Sequence, residues 1–227
     1  MTEFRSPTDV LADTIRLDGA DVLDVGCGEG DLVRFMRSRG ARAVGAECGD
    51  EMRRRAIAND PDHADDYVDA VGEALPFPDS SFDAVVYSYS LHHVPIHDIP
   101  AALVEAHRVL RPGGTLLVVE PAVDEPEDSM SAPVVDETVE RTAAQAAIDD
   151  AEQYGFEITD RFMYLSESVQ PDFDTYADRI VGISPERADA LAEHRAELEA
   201  KFHQIGREQA GGWAFTRRNL VAVLSKL

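Results

Sequence analysis

Val22-Leu23-Asp24-Val25-Gly26-Cys27-Gly28-Glu29-Gly30 is the stretch that decides how this chain folds. A short apolar run from Asp21 to Val25 is broken by glycines at alternate positions, and a helical pattern follows from Asp31 to Ser38. Glycines directly after a buried strand let the backbone turn tightly and approach a ligand, while the next helix offers its free N–H groups. The spacing here is GxGxG. A dinucleotide fingerprint reads GxGxxG, and Asp31 stands where its last glycine would fall. The Asp24 carboxylate would crowd a pyrophosphate with like charge and suits a ligand bearing an ammonium group. A nicotinamide-dependent dehydrogenase is disfavoured on both counts.

Strand-like and helix-like periodicities alternate on either side of this loop. Pro7 to Leu17 reads as a helix capped by Ser6, and Ala41 to Ala46 as a second strand followed by a helix from Asp50 to Ala58. Tyr67 to Val71 is a weaker third strand and Phe82 to Tyr87 an apolar fourth. Ile99 to Leu110 is a helix stopped by Arg111-Pro112-Gly113-Gly114, and Thr115 to Glu120 is a fifth strand. Such alternation predicts an α/β fold with a parallel sheet covered on both faces. Beyond Pro121, residues 122–133 read as an acidic loop or lid. Helices are expected over 136–154, 173–181 and 185–205, with strands over 156–169 and 213–224.

Composition bounds the function. The 227 residues suit one domain, with 1–20 an N-terminal helix, 21–121 a ligand-binding half and 122–227 a substrate-side half with lid helices. Lys and Arg number 21 against 44 Asp and Glu, a formal net charge of −23. That balance argues against a nucleic-acid partner, which needs a basic stripe. Arg53-Arg54-Arg55 sits among acids and is expected to pair locally. Only Lys201 and Lys226 are lysines. Short carboxylates with few lysines predict adaptation to high salt, where a Debye length of about 3 Å at 1 M screens self-repulsion. No apolar run approaches the ~20 residues of a membrane span, and the first ten residues lack the apolar core of a signal peptide. Cys27 and Cys48 give neither a disulfide framework nor a CxxC motif. The expected location is the cytoplasm.

Four ordered blocks carry a family resemblance: the glycine loop within residues 22–30, AVGAE at 43–47, ALPFPDSSFDAVV at 74–86 and VLRPGGTLLVVE at 109–120. Together they resemble the class I S-adenosylmethionine-dependent methyltransferases, of the small-molecule type. The resemblance implies a Rossmann-like, mostly parallel seven-stranded sheet with helices on both faces and an antiparallel C-terminal strand. It implies S-adenosyl-L-methionine as cofactor and transfer of its methyl group to a small-molecule acceptor by in-line displacement. Gly26, Cys27, Gly28 and Gly30 would pass beneath the methionine and ribose, with Asp24 orienting that end. Glu47 would accept hydrogen bonds from both ribose hydroxyls, a task for a two-oxygen acceptor. Cys48 and Met52 would line the adenine pocket, and Ser88 would border the cofactor. Family members often place an aspartate before the fourth strand to face the adenine amine. The aligned residues here are Val71, Gly72 and Glu73, so that contact falls to backbone atoms or to Glu73 and Asp69.

The acceptor is expected over the carboxyl ends of strands four and five, which places Tyr87 to Val94, with Glu120 beside them, at the reaction centre. His92 and His93 are the candidate catalytic residues, as a proton acceptor or as locally bonded turn residues. Tyr89 either joins a histidine or forms the wall. His93 and His97 are four apart, but Pro95 and Pro100 interrupt the helix that would align them, so no metal is expected. Met130, Phe162, Met163, Tyr164, Phe173, Tyr176 and Trp213 either line a pocket for an apolar or aromatic molecule or form core beneath the lid. Arg161, Arg179, Arg217 and Arg218 either hold an acidic acceptor or pair with carboxylates. Two alternatives stand beside the main reading: a quinone or lipid biosynthesis methyltransferase, and a protein that binds S-adenosylmethionine without turnover. Integral membrane association is not expected, and the oligomeric state is left open.

Overall fold

The computed structural model describes residues 3–123 and 125–227; Met1, Thr2 and Asp124 lie outside them. Ser6 opens α1 (Pro7–Thr14): its Oγ accepts the Asp9 N–H at 3.0 Å, and Pro7 fills a first-turn position whose N–H would have no partner. Next come β1 (Asp21–Val25), α2 (Asp31–Ser38), β2 (Arg42–Ala46), α3 (Asp50–Asn59), β3 (Tyr67–Val68) and β4 (Phe82–Ser88). Then follow α4 (Ile99–Val109), β5 (Leu110–Pro121), α5 (Pro126–Ser131), α6 (Thr138–Asp149) and β6 (Phe156–Gln170). The chain ends with α7 (Phe173–Ile183), α8 (Ala188–Ile205), β7 (Arg207–Gln209) and β8 (Gly212–Lys226).

The sheet runs β3-β2-β1-β4-β5-β8-β6, with the short β7 added on β8. Strands β1 to β5 are parallel, and β8 lies antiparallel between β5 and β6. This is the mostly parallel seven-stranded sheet with an antiparallel C-terminal strand that the resemblance implies, with β7 as an eighth, peripheral strand. The parallel strands are buried on both faces, as crossover helices require. Leu23, Val85, Leu116 and Val118 pack with Leu103 of α4 and Ile148 of α6. Their sequence neighbours Val22, Val86, Leu117 and Val119 pack with Leu11 of α1 and Met36 of α2.

Departures from the sequence expectation are local. Strand β3 stops at Val68 because the chain turns back on itself, with the Ala74 N–H reaching the Val71 carbonyl at 3.2 Å. The expected loop over 122–133 contains α5, started by Pro126 in its first turn and a reciprocal bond pair between Glu125 and Asp128. The expected helix over 136–154 ends at Asp149 and continues as a tighter turn that Gly155 closes with a left-handed conformation (φ +85°).

Strands β6 and β8 pair from Phe156 opposite Lys226 to Gln170 opposite Trp213, whereas β5 pairs with β8 only as far as Pro121 opposite Asn219. The remainder forms an arm beyond the carboxyl end of β5. Helices α5, α7 and α8 pack there through Met130, Phe173, Leu198 and Phe202 around Phe215, with Tyr176 and Trp213 at the margin. Met130, Phe173, Tyr176 and Trp213 are therefore a satellite core. Arg161 pairs with Asp149, and Arg218 with Glu125 at 2.6 Å. Arg53 pairs with Asp50, while Arg54 and Arg55 pair with Glu51, as expected for a local helix-face network. Among the described residues, no helix is long and apolar enough to cross a membrane.

Candidate cofactor and acceptor site

The three loop glycines do different work. Gly26 (φ +74°) sends its N–H to the Ala46 carbonyl at 2.8 Å, and a Cβ there would lie 2.5 Å from Ser90 Cβ. Gly30 (φ +78°) caps α2 against the Tyr67 ring, where a Cβ would meet Cε1 at 2.7 Å. Gly28 (φ +54°) has nothing within 4 Å of its Cβ position. The loop is thus pinned at both ends and open at its middle, which is where a ligand can approach the backbone.

Two carboxylates flank that opening. Asp24 is 2% exposed at the end of β1, and no side-chain or backbone donor among the described residues bonds its carboxyl. Burial, reinforced by the Glu47 charge, pushes its pKa up to about 7. Glu47 follows β2 and is held from two sides: Oε2 accepts the Gly28 N–H at 2.8 Å and Oε1 the Gly49 N–H at 2.7 Å. Each oxygen keeps a further lone pair for an outside donor. An unpartnered buried carboxyl beside a fixed two-oxygen acceptor fits the ammonium and ribose diol of S-adenosylmethionine.

Cys27 turns inward: its Sγ would lie 2.5 Å from a Cβ on Gly45, so only its backbone borders the opening, and burial raises its thiol pKa further. Cys48 is exposed and Met52 half-buried at the start of α3, beside the loop. Val71 is exposed, with its carbonyl already taken by Ala74. Gly72 is buried under the Tyr87 hydroxyl, which would meet a Cβ there at 3.0 Å, and Glu73 is half-buried. The expected backbone grip on adenine is thereby reduced to Gly72 and the Val71 N–H. Ser88 ends β4, half-buried, opposite Val119.

Tyr89 has a left-handed backbone (φ +56°), and its hydroxyl bonds Tyr164 at 2.7 Å and Asn219 Oδ1 at 3.0 Å. Burial and the Tyr164 neighbour raise its pKa strongly, so the phenol stays protonated. The hydroxyl is thereby tied to β6 through Tyr164 and to β8 through Asn219.

His92 and His93 follow in a one-turn helix. His92 is 3% exposed, with Nδ1 bonded to Oε2 of the fully buried Glu120. Glu120 Oε1 accepts the N–H groups of Leu91 at 3.0 Å and His92 at 3.3 Å. That carboxylate fixes the ring through Nδ1 and leaves Nε2 as the other nitrogen. It faces Glu137 Oε2 at 3.7 Å, while Nε2 of His93 faces Glu137 Oε1 at 3.8 Å. His93, and then Arg141 at 2.8 Å, hold the Glu137 carboxyl down to about 2 against the opposing effect of burial. A cavity of about 680 Å³ opens beside these groups, bounded also by His97, Val135 and Arg187. A smaller one, of about 320 Å³, is lined by Ala122, Gln145, Phe162, Met163 and Leu220. His97 is exposed and pairs with Asp98; it borders the same cavity as His93 but stands outside the cluster of ligating atoms that His92, His93 and Glu137 form. Glu137 carries no sequence signal, since α6 reads as a lid helix. Glu120 carries one, as the lone acid ending an apolar strand. The arrangement can accept a proton at Nε2 of His92 or ligate a cation there.

A family model for a methyltransferase domain matches residues 23–118. The ubiquinone/menaquinone biosynthesis C-methyltransferase UbiE of Paracoccus denitrificans is 36% identical over 171 residues, covering 72% of this chain and 65% of the relative. The chain thus spans slightly less than two thirds of that relative. The protein of the same name from Shewanella oneidensis is 34% identical over 196 residues, covering 78% and 72%. A solved structure from Bacillus halodurans shares the fold, with a TM-score of 0.68 over 98% of this chain and 99% of its own at 21% identity. With the family model over residues 23–118, a relative 34% identical over 72% of its length and the glycine loop in place ahead of Glu47, the chain belongs to the class I S-adenosylmethionine-dependent methyltransferases.

Proposed function

We propose that this protein methylates a small-molecule acceptor seated in the cavity beside His92 and His93. The observation that carries the reading is the pairing of Asp24 with Glu47 across an open glycine loop. Asp24 would hold the ammonium end of the cofactor, Glu47 the ribose hydroxyls, and Gly28 the closest backbone approach. Cys48 and Met52 would border adenine. When bound, S-adenosylmethionine supplies an electrophilic methyl group on a sulfonium. The chain's part is then alignment and handling of the acceptor's polar end. His92, fixed by Glu120, and His93 present their Nε2 atoms to that end, and Tyr89 closes the wall. Residues 21–121 form the cofactor half and 122–227 the acceptor half of one functional unit.

The test is calorimetric titration with S-adenosylmethionine and S-adenosylhomocysteine in about 2 M KCl, a level set by charge screening. Micromolar binding that disappears in Glu47→Ala supports the reading. No binding at any salt concentration removes it. A second acceptor reading, methylation of carbon in a quinone precursor, is favoured by the two UbiE relatives. Methyl transfer to a demethylated quinone precursor in vitro separates it from other small acceptors. Cofactor binding without turnover on any acceptor pool would leave a non-catalytic binding protein.

A further inference from the structure

We propose that His92, His93 and Glu137 bind a first-row divalent transition cation, with open coordination positions facing the adjoining cavity. One ligating atom from each residue lies within 4.8 Å of the other two. Two imidazoles and a carboxylate ligating at about 2.0–2.2 Å span edges of about 3.0–3.5 Å. Both histidine Nε2 atoms already stand 3.7 and 3.8 Å from the Glu137 oxygens. The His93 ring is 62% exposed and is free to make the remaining closing movement.

The groups behind the donors separate this trio from a chance cluster. A ligating histidine needs its other nitrogen tied to an acceptor, which sets the tautomer and aims the lone pair. His92 has that support in Glu120, which is itself anchored by two backbone N–H groups. Arg141 touches Glu137, but it also bonds Asp128 at 2.5 Å, so its one charge is shared between two carboxylates. Arg141 contacts Glu137 at Oε2, whereas the oxygen that faces His93 is Oε1.

Two nitrogens and one carboxylate favour zinc, manganese, iron, cobalt or nickel over magnesium or calcium, which take oxygen ligands. Three protein ligands leave room for water or an outside oxygen. Resting on the acceptor placement proposed above, that oxygen belongs to the acceptor. The substrate class becomes a molecule with a hydroxyl or enol oxygen, which a bound cation would favour in its ionised form.

The test titrates the full chain, free of any histidine tag and without cofactor, with Co²⁺ followed by visible absorption. Saturation at one Co²⁺ per chain is expected, competed by Zn²⁺. His93→Ala and Glu137→Gln are expected to weaken binding at least tenfold, and His97→Ala to leave it unchanged. Glu120→Gln, a positioning change, is expected to cost about 10–100-fold. Because Glu120 is buried, the exposed His93→Ala is the deciding variant, its fold checked by circular dichroism. Absence of Co²⁺ binding, or equal binding in His93→Ala, overturns the site. Titration of the same sample with S-adenosylhomocysteine keeps the readings separate: cofactor binding without Co²⁺ binding removes the metal alone, and the reverse removes the cofactor reading alone.

Discussion

Glu47 accepts the Gly28 N–H at 2.8 Å across 19 residues of sequence, so the strand-end acid and the glycine loop hold each other before any ligand arrives. The same carboxylate binds the Gly49 N–H and so faces donors with both oxygens. Glu47→Gln places an amide donor against one of those N–H groups and removes the charge. A hydrogen bond to a charged group is worth about 1.5–3 kcal/mol, so S-adenosylhomocysteine affinity is expected to fall roughly 10- to 150-fold. Calorimetry measures it, and an unchanged Kd would place the ribose elsewhere.

Gly26 and Gly28 separate folding from binding. Alanine at 26 would drive its Cβ to 2.5 Å from Ser90 Cβ, whereas alanine at 28 enters empty space. Both positions are left-handed, which costs an alanine about 1–2 kcal/mol. Gly28→Ala is therefore expected to lose only that much stability while losing cofactor affinity. Gly26→Ala is expected to lose several kcal/mol, through overpacking added to strain. Chemical denaturation beside ligand titration distinguishes the two, and equal stability losses would refute the assignment.

Asp24 gives a pH dependence of definite sign. Its folded pKa of about 7 lies above the ordinary 3.8. The folded state therefore holds a proton that the unfolded chain releases, and stability falls as pH rises from about 4 to about 7. At about 1.4 kcal/mol per unit, the full penalty above pH 7 is on the order of 4 kcal/mol. Asp24→Asn is expected to raise the melting temperature of the ligand-free protein at pH 8, with the gain vanishing near pH 4. A pH-independent difference would contradict this. An ammonium docking on Asp24 must also expel its proton. At pH 6, calorimetry in two buffers of different ionisation enthalpy should therefore show close to one proton released per cofactor, and none in Asp24→Asn.

Residues 21–121, proposed to hold the cofactor, were legible because their signals are local. The apolar runs, the GxGxG turn and Glu47 each announce themselves within a few residues, and parallel strands buried on both faces have a near-continuous apolar pattern. Residues 122–227 were less so. Met130, Phe173, Tyr176 and Trp213 have the same composition in a pocket lining as in a core, and only their packing around Phe215 shows which they are. Glu137 joins His92 and His93 through a contact between α6 and the turn after β4, about 45 residues apart in sequence, which no motif spacing encodes. His93 and His97 show the converse, a ligand-like spacing in which His97 pairs with Asp98 and stays outside the cluster that His93 joins.

Salt should stabilise this protein, because its charge is unbalanced rather than merely abundant. A net charge of −23 on 227 residues leaves many carboxylates without a cation partner, even though most described arginines are paired. Raising KCl from dilute buffer to about 1 M shortens the Debye length to about 3 Å and screens their mutual repulsion. The half-buried pairs, such as Arg37 with Asp60 and Arg141 with Asp128, lose little because solvent ions reach them poorly. The expected net effect is a gain. In a chain of this size, about 2 kcal/mol corresponds to a rise of about 4–8 °C in Tm. Thermal unfolding across a KCl series is expected to show a rise of at least that order, saturating once the surface is screened. A flat or falling Tm would mean that the surface pairs, and not the excess acids, dominate its electrostatics.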